Sequence, residues 1–301
     1  MQQLSNESAM VETHDKLLNI SSCWDINRNP INLIRELVSQ LNHKNYELTY
    51  YGGGSISFDQ IKSISIDLNI NLSLHNYTLN EGLPFVLNLA SHNPKIRHQS
   101  INLIKQNIVY SRLLGSNIYS FHAGFLVDPS PSELGKGFSV SKLDDRSLEI
   151  FLQSCGELSN FASATGIRLL VENNVLTKGN FNCFNQVNPL LCVDPQGTHE
   201  IMTELAKFNV AMLLDFGHLK VSSNTLNFTI DDFMKLNEEF VGGYHYSDNN
   251  GIIDNNSSIH SNSFFWSYLN TDVFYHTLEV SSKSSYASLR DQIDLINHKI
   301  L

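Results

Sequence analysis

Carboxylates and imidazoles stand at the ends of short apolar segments along this chain. In the clearest case, the apolar run 211–214 is followed by Asp215 and, three positions later, by His218. The run is too short for a typical helix and does not alternate, so it predicts a strand buried on both faces, as in a parallel sheet. An acid and a histidine at the end of such a strand can bind one metal ion or one substrate. The same spacing is also typical of a helix cap or a buried hydrogen-bonded pair.

Other predicted strands end in the same residue types. They end in His75, His122, Glu172, His245 and Glu279. Each of these alone is typical of a hydrogen-bonded core residue or an ion pair, but buried unpaired charges are costly, so together they predict a shared metal site. Nitrogen and oxygen donors without a thiolate suit Zn²⁺, Mn²⁺, Fe²⁺ or Co²⁺. The four cysteines form no Cys-x-x-Cys pair and are expected to be reduced and mostly buried.

The elements that must position these residues alternate along the chain. Strands are predicted over 16–22, 46–51, 71–75, 118–124, 167–172, 211–218, 241–248 and 273–280. Helices are predicted over 30–41, 58–64, 95–114, 148–164, 198–207, 230–239 and 285–300.

This alternation predicts an α/β protein with a parallel sheet, and the number of units favours a single (β/α)8 TIM barrel over residues 17–301. In such a barrel the strand ends share the C-terminal rim, where the metal site is expected. An open doubly wound sheet is the alternative, but no Gly-x-Gly-x-x-Gly turn follows the first strand. Residues 1–16 are predicted to form a flexible polar N-terminus.

Composition argues against several classes of partner. With 20 lysines and arginines against 30 aspartates and glutamates, the formal net charge is −10, and no basic run is present. Such a chain repels a phosphate backbone, so no nucleic-acid partner is expected. No apolar run reaches the ~20 residues of a membrane helix, and the N-terminus lacks signal-peptide features, so we predict a cytoplasmic protein without a membrane partner. A homo-oligomer stays open.

Short motifs at the strand ends carry a family resemblance. They are Ser73-Leu74-His75, Phe121-His122-Ala123-Gly124, Leu170-Val171-Glu172-Asn173, Leu214-Asp215-Phe216-Gly217-His218, Tyr244-His245-Tyr246-Ser247-Asp248 and Thr277-Leu278-Glu279-Val280. In this order the chain resembles the xylose isomerase-like TIM barrels, which include the sugar phosphate isomerases and epimerases and the family 2 apurinic-site endonucleases. The resemblance spans roughly residues 17–300.

The resemblance implies roles for these residues, with one or two divalent transition-metal ions. The metal shared by most members would be held by Glu172, Asp215, His245 and Glu279. A second ion, as in the endonucleases, would be held by His75, His122 and a bridging Glu172. For catalysis, Glu172 and Glu279 are candidates for removing and returning a proton. His218 would contact the substrate oxygens, or hold a third ion as in the endonucleases.

One departure from the family pattern bears on the reaction. The endonucleases carry Asp-x-His after the seventh strand, and this chain has Asp254-Asn255-Asn256 there. Asp254 is retained as a possible ligand, and His260 is a candidate for a displaced one. A third metal is therefore not favoured.

We thus predict a metal-dependent isomerase or epimerase acting on a sugar, a sugar phosphate or a related polyol. The alternatives are a dinuclear hydrolase or phosphodiesterase of the endonuclease type, a dinuclear oxidase, and, least favoured, a non-catalytic barrel that only binds a ligand. The partner is expected to be a small carbohydrate, whose identity the sequence leaves open. Lys136, Lys178 and Lys220 are possible phosphate contacts, and Glu47 would contact substrate or pair structurally.

Overall fold

The fold was analysed in a computed structural model that describes residues 18–49, 56–76, 85–133, 146–281 and 285–300. The predicted flexible segment 1–16, the triple glycine at 52–54 and Lys136 lie outside the described residues.

Eight parallel strands close into a barrel in chain order, and the first strand pairs with the last. The strands are β1 (Leu18–Ser21), β2 (Asn45–Thr49), β3 (Asn71–His75), β4 (Ile118–His122), β5 (Arg168–Glu172), β6 (Ala211–Asp215), β7 (Val241–Tyr246) and β8 (Tyr275–Leu278). The predicted α/β class and single (β/α)8 barrel are therefore confirmed.

The helices lie between the strands and after the last one. They are α1 (Pro30–Leu41), α2 (Phe58–Leu68), α3 (Pro94–Leu113), α4 (Ser147–Thr165), α5 (Lys178–Cys183), α6 (Pro195–Ala206), α7 (Phe216–Leu226), α8 (Ile230–Asn237) and α9 (Tyr286–Ile300). Local sequence sets their ends. Helix α1, for example, begins with Pro30 after the capping side chain of Asn29 and ends at Asn42, which adopts a left-handed conformation with φ of 53°. No helix in the described ranges is long and apolar enough to cross a membrane.

The strand register brings the predicted site residues together. His122 of β4 lies beside Glu172 of β5, and Asp215 of β6 lies beside His245 of β7. Because side chains alternate between the two faces of a strand, residues aligned in register point to the same face. The parallel register therefore collects polar residues from distant parts of the chain at one rim of the barrel.

The prediction was wrong at the end of the sixth strand. Strand β6 stops at Asp215, and helix α7 begins at once with Phe216, although no helix was predicted between 218 and 230. Asp215 caps this helix, because its Oδ1 accepts a hydrogen bond from the backbone N–H of His218 at 2.7 Å. The strand of β7 likewise ends at Tyr246 rather than at Asp248. The spacing of Asp215 and His218 is thus a helix cap, and the second oxygen of Asp215 stays available to the site.

Candidate metal centre

The candidate ligands converge in three overlapping groups. Within each group, one donor atom from every residue lies within 4.8 Å of the others. The first group is Glu172, Asp215, His245 and Glu279; the second is His75, His122 and Glu172; the third is Glu47, His75 and His245. The first two groups match the ligand sets that the resemblance implied for a shared and a second metal.

His245 lies at the middle of the first group. Its Nδ1 is 2.8 Å from Glu279 Oε2, 3.1 Å from Glu172 Oε1 and 3.8 Å from Asp215 Oδ2. The side chain is fully buried, and Glu172 and Asp215 are almost fully buried. Three carboxylates therefore face one imidazole nitrogen in a site that excludes bulk water.

The second group shares Glu172 with the first. His75 Nε2 lies 3.2 Å and His122 Nδ1 lies 3.4 Å from Glu172 Oε2, whereas Glu172 Oε1 faces His245. Ser120 holds the other ring nitrogen of His75 at 2.9 Å and so fixes the orientation of the ring. The two oxygens of Glu172 thus face two separate sets of nitrogen donors, which is the arrangement of a bridging carboxylate.

A buried carboxylate oxygen of the site has no hydrogen-bond donor in the described part of the chain. Asp215 Oδ2 is buried and accepts no hydrogen bond from any residue in the described ranges. Burial, reinforced by the neighbouring carboxylates of Asp254, Glu279 and Glu172, raises the pKa of Asp215 to about 8. A buried carboxylate oxygen without a donor is costly, and a divalent cation bound by carboxylates and imidazoles would stabilise it. The residues present therefore fit a divalent metal.

The buried imidazoles and carboxylates also shift one another's pKa values. Burial disfavours the charged form of His245, but the carboxylates of Glu47, Glu279 and Glu172 outweigh it, and the pKa of His245 is well above its ordinary value. Burial would also raise the pKa of Glu172, yet the charges of His122 and the other imidazoles hold it well below the ordinary value. Without a metal, protons on the imidazoles balance the carboxylates.

His218 lies beside this cluster and contacts Asp254. Its Nδ1 is 2.8 Å from the backbone oxygen of Asn173, and its Nε2 is 3.2 Å from Asp254 Oδ2. The backbone contact fixes the ring, because Nδ1 must donate its proton to the carbonyl oxygen. His218 and Asp254 are therefore brought together at the rim as the sequence suggested.

His260 and Asn256 lie apart from the ligand groups of the described residues. The side chain of His260 is exposed, and its backbone carbonyl accepts a hydrogen bond from Trp266 Nε1. Asn256, at the position where the endonuclease pattern has a histidine, directs its amide toward Cys23 Sγ at 3.8 Å. Among the described residues, neither of them joins His218 and Asp254 in a ligand group.

Glu47 has a role that the sequence left undecided. It is fully buried, and its Oε2 accepts hydrogen bonds from Tyr275 OH at 2.6 Å and from Thr277 Oγ1 at 3.2 Å. The same oxygen lies 3.1 Å from His245 Nε2. Glu47 thus orients the imidazole of His245, whose other nitrogen faces the first ligand group. Outer carboxylates commonly do this for metal-binding histidines. An acid in the middle of a strand otherwise rich in β-formers was the signal in the sequence.

The lysines considered for phosphate contacts are engaged elsewhere or exposed. Lys220 Nζ lies 2.6 Å from both Asp248 Oδ1 and the backbone oxygen of Asn249. Lys178 is exposed, with its Nζ 5.7 Å from the centre of the Phe181 ring. A phosphate-binding role therefore has no support from Lys220, which already has a carboxylate partner.

We expect Glu47→Gln to weaken metal binding by about 10- to 100-fold, because the imidazole of His245 loses the carboxylate that makes it basic and holds its orientation. Titration of chelator-treated protein with Co²⁺, followed by absorption spectroscopy, measures the change. Glu239→Gln, which removes an exposed carboxylate in the turn before β7, is the matched control. Unchanged Co²⁺ affinity in Glu47→Gln would contradict the role of Glu47.

The chain belongs to the xylose isomerase-like TIM barrel family, whose model matches residues 36–276. Among curated protein sequences, none matches this chain.

Solved structures show the same fold at low sequence identity. A D-tagatose 3-epimerase-like protein has 19% identity and a TM-score of 0.65, covering 95% of this chain and 100% of that one. An L-ribulose 3-epimerase has 11% identity and a TM-score of 0.65, covering 94% of each chain. A Thermus thermophilus protein soaked with ZnCl2 has 19% identity and a TM-score of 0.61, covering 93% of this chain and 98% of that one.

Proposed function

We propose that this protein is a divalent-metal-dependent isomerase or epimerase that acts on a sugar or a related polyol. The observation that carries the proposal is the pair of glutamates at the metal group: Glu172 Oε1 and Glu279 Oε2 both lie within 3.1 Å of the same imidazole nitrogen of His245. Two carboxylates beside one metal site suit a reaction in which a proton is removed from carbon and returned. The 3-epimerase names of two structural neighbours agree with this class.

In this proposal the metal would be held by Glu172, Asp215, His245 and Glu279, whose donor atoms lie within 4.8 Å of one another. A bound divalent ion would supply a Lewis acid that polarises a carbonyl and the hydroxyl next to it, which acidifies the neighbouring C–H. Mn²⁺, Zn²⁺, Fe²⁺ and Co²⁺ all suit this donor set. The location of the protein in the cytoplasm stays a prediction.

Side chains of this chain would transfer the proton and contact the substrate. One of Glu172 and Glu279 would take the proton from the carbon, and the other would return it, to the opposite face in an epimerase or to the neighbouring carbon in an isomerase. His218 has its Nδ1 committed to Asn173, so its Nε2 is the nitrogen that can contact a substrate oxygen. Asp254, at 3.2 Å from this Nε2, would keep that nitrogen oriented toward the rim.

The test is a metal-reconstituted assay in D₂O. Protein loaded with Mn²⁺ or Co²⁺ is incubated with D-tagatose, D-allulose, D-fructose and L-ribulose, and products are separated and examined by NMR. We expect at least one ketose to give an epimer or an aldose that carries deuterium at the reacting carbon. If no sugar of the panel is converted and none exchanges hydrogen with the solvent, the proposal is wrong for this class of substrate.

A second candidate is a dinuclear hydrolase or oxidase, and the second ligand group is the observation that favours it. His75, His122 and Glu172 would hold a further ion next to the first. Two adjacent ions can activate water for hydrolysis. Nicking of abasic duplex DNA, cleavage of bis(p-nitrophenyl) phosphate, and O₂ uptake by the iron-loaded protein distinguish these activities from sugar conversion.

A further inference from the structure

A cavity lies at the opposite end of the barrel from the candidate metal centre. It has a volume of about 590 Å³ and opens at the N-terminal mouth, where Asn45 begins β2, Asn71 begins β3 and Arg168 begins β5. The interior of a (β/α)8 barrel is usually filled by bulky branched side chains. Here the β1 to β3 side of the mouth instead presents a row of asparagines, to which β1 contributes Asn19.

Each of these asparagines uses only one side-chain polar atom in a hydrogen bond to the described part of the chain. Asn19 and Asn45 are each only 8% exposed. Asn19 Nδ2 donates to the backbone oxygen of His276 at 3.0 Å, and Asn71 Nδ2 donates to Asn45 Oδ1 at 2.7 Å. The other amide atom of each of the three makes no hydrogen bond within the described part of the chain. Asn71 is exposed, and the remaining amide atoms of these residues, which line the cavity, can hydrogen-bond a polar occupant.

The one cation of the cavity lining has no counterion among the described residues. The Arg168 guanidinium stacks over the Phe274 ring, 4.2 Å from its centre, and no carboxylate of the described ranges lies within ion-pair distance of it. Arg168 is exposed at the start of β5, and desolvation of its guanidinium lowers its pKa below the ordinary value. A planar guanidinium held in this way is suited to bind a carboxylate or a phosphate.

We propose that the N-terminal mouth binds a small hydroxylated organic anion, either a sugar acid or a sugar phosphate. Arg168 would bind the anionic group, and the amides of Asn19, Asn45 and Asn71 would bind the hydroxyls. The volume lies within the range of about 300 to 1,000 Å³ that is usual for small-molecule sites. This inference rests on the cavity alone and is independent of the reaction proposed for the metal centre.

Isothermal titration calorimetry of the full chain with sodium D-gluconate and with D-glucose 6-phosphate tests the site. We expect at least one of them to bind, and the comparison shows whether the carboxylate or the phosphate is preferred. Arg168→Met should weaken binding by about tenfold or more, because a charge-assisted pair is lost while the contact with Phe274 is kept. Asn45→Asp, which places a negative charge in the cavity, should weaken it as well.

Two control variants separate this site from the metal centre and from general charge effects. Arg290→Met removes an exposed arginine of α9 and should leave binding unchanged. Asp215→Asn alters the metal group and should also leave it unchanged, and thermal unfolding verifies that every variant is folded. The proposal is overturned if neither probe binds the wild-type protein, if Arg168→Met and Asn45→Asp bind as tightly as the wild type, or if Asp215→Asn abolishes binding.

Discussion

Replacing either Glu172 or Glu279 by glutamine is expected to lower kcat for the proposed sugar reaction by about 10³-fold, within the range typical for loss of a general acid or base. Glutamine keeps the size of the side chain and one oxygen donor, but it cannot accept a proton from carbon. Both carboxylates lie within 3.1 Å of His245 Nδ1, so each is positioned at the metal group. Steady-state assays with protein of measured metal content distinguish loss of the base from loss of the ion.

Hydrogen exchange gives a readout that a structural defect would not imitate. In an epimerase with two bases, a variant lacking one base can still exchange the C–H of the epimer that faces the remaining base. We therefore expect Glu172→Gln and Glu279→Gln to retain D₂O exchange with opposite epimers while both lose net conversion. Glu239→Gln, on the exposed surface, is the control and should be fully active. Full activity in both site variants would refute the assignment of the two bases.

The strand ends were predictable because the apolar runs around them are short and end in ionisable residues. His122 and Glu172 follow from this pattern, since a parallel barrel directs the ends of all its strands to one rim. The pairing of Glu47 with His245 could not be derived in the same way. These residues are 198 positions apart, on β2 and β7, and only the closed barrel and its register place Glu47 Oε2 3.1 Å from the imidazole.

The positions of loop residues and the cavity at the N-terminal mouth could not be predicted from the sequence, for a different reason. The position of His260 depends on the hydrogen bond from Trp266 to its backbone oxygen and on Ser263 Oγ, which accepts from its N–H. No periodic pattern encodes such contacts. In the same way, Asn45 and Asn71 stand at the beginnings of strands, and only closure of the barrel brings them to one cavity.

The candidate metal centre should also make the free energy of unfolding depend on pH, in opposite directions with and without the ion. With the ion removed by a chelator, we expect the free energy of unfolding to fall as the pH rises from about 6.5 to 8. Over this range the folded protein retains protons on Asp215, with its pKa of about 8, and on His218 and His245, whose pKa values are raised well above the ordinary one. The unfolded chain has released the proton of Asp215 and loses most of the histidine protons as the pH rises above about 6.5, and stability falls with pH wherever the folded state binds more protons.

Two described histidines, His43 and His122, have pKa values lowered by burial, and their contributions to the pH dependence lie mainly below this window. Burial lowers the pKa of His122 to about 4, so His122 is neutral in the folded state throughout the window, and its contribution changes only below the ordinary histidine pKa. Denaturant unfolding at several pH values, with chelator present, measures the slope. Asp215→Asn should flatten the slope and raise the stability of the metal-free protein at pH 8, because it removes a buried carboxylate that has no donor for its Oδ2.

Adding the ion should reverse the dependence, because Asp215 and His245 must lose their protons to bind it. At a free metal concentration about a thousandfold above the Kd, the ion should add about 4 kcal/mol to the free energy of unfolding, and this gain should grow as the pH rises. Asp215→Asn should lose most of the gain, whereas Asp272→Asn, at an exposed position before β8, should keep it. If Mn²⁺, Zn²⁺ and Co²⁺ leave the unfolding of the wild-type protein unchanged between pH 6.5 and 8, the cluster of Glu172, Asp215, His245 and Glu279 does not bind a divalent metal.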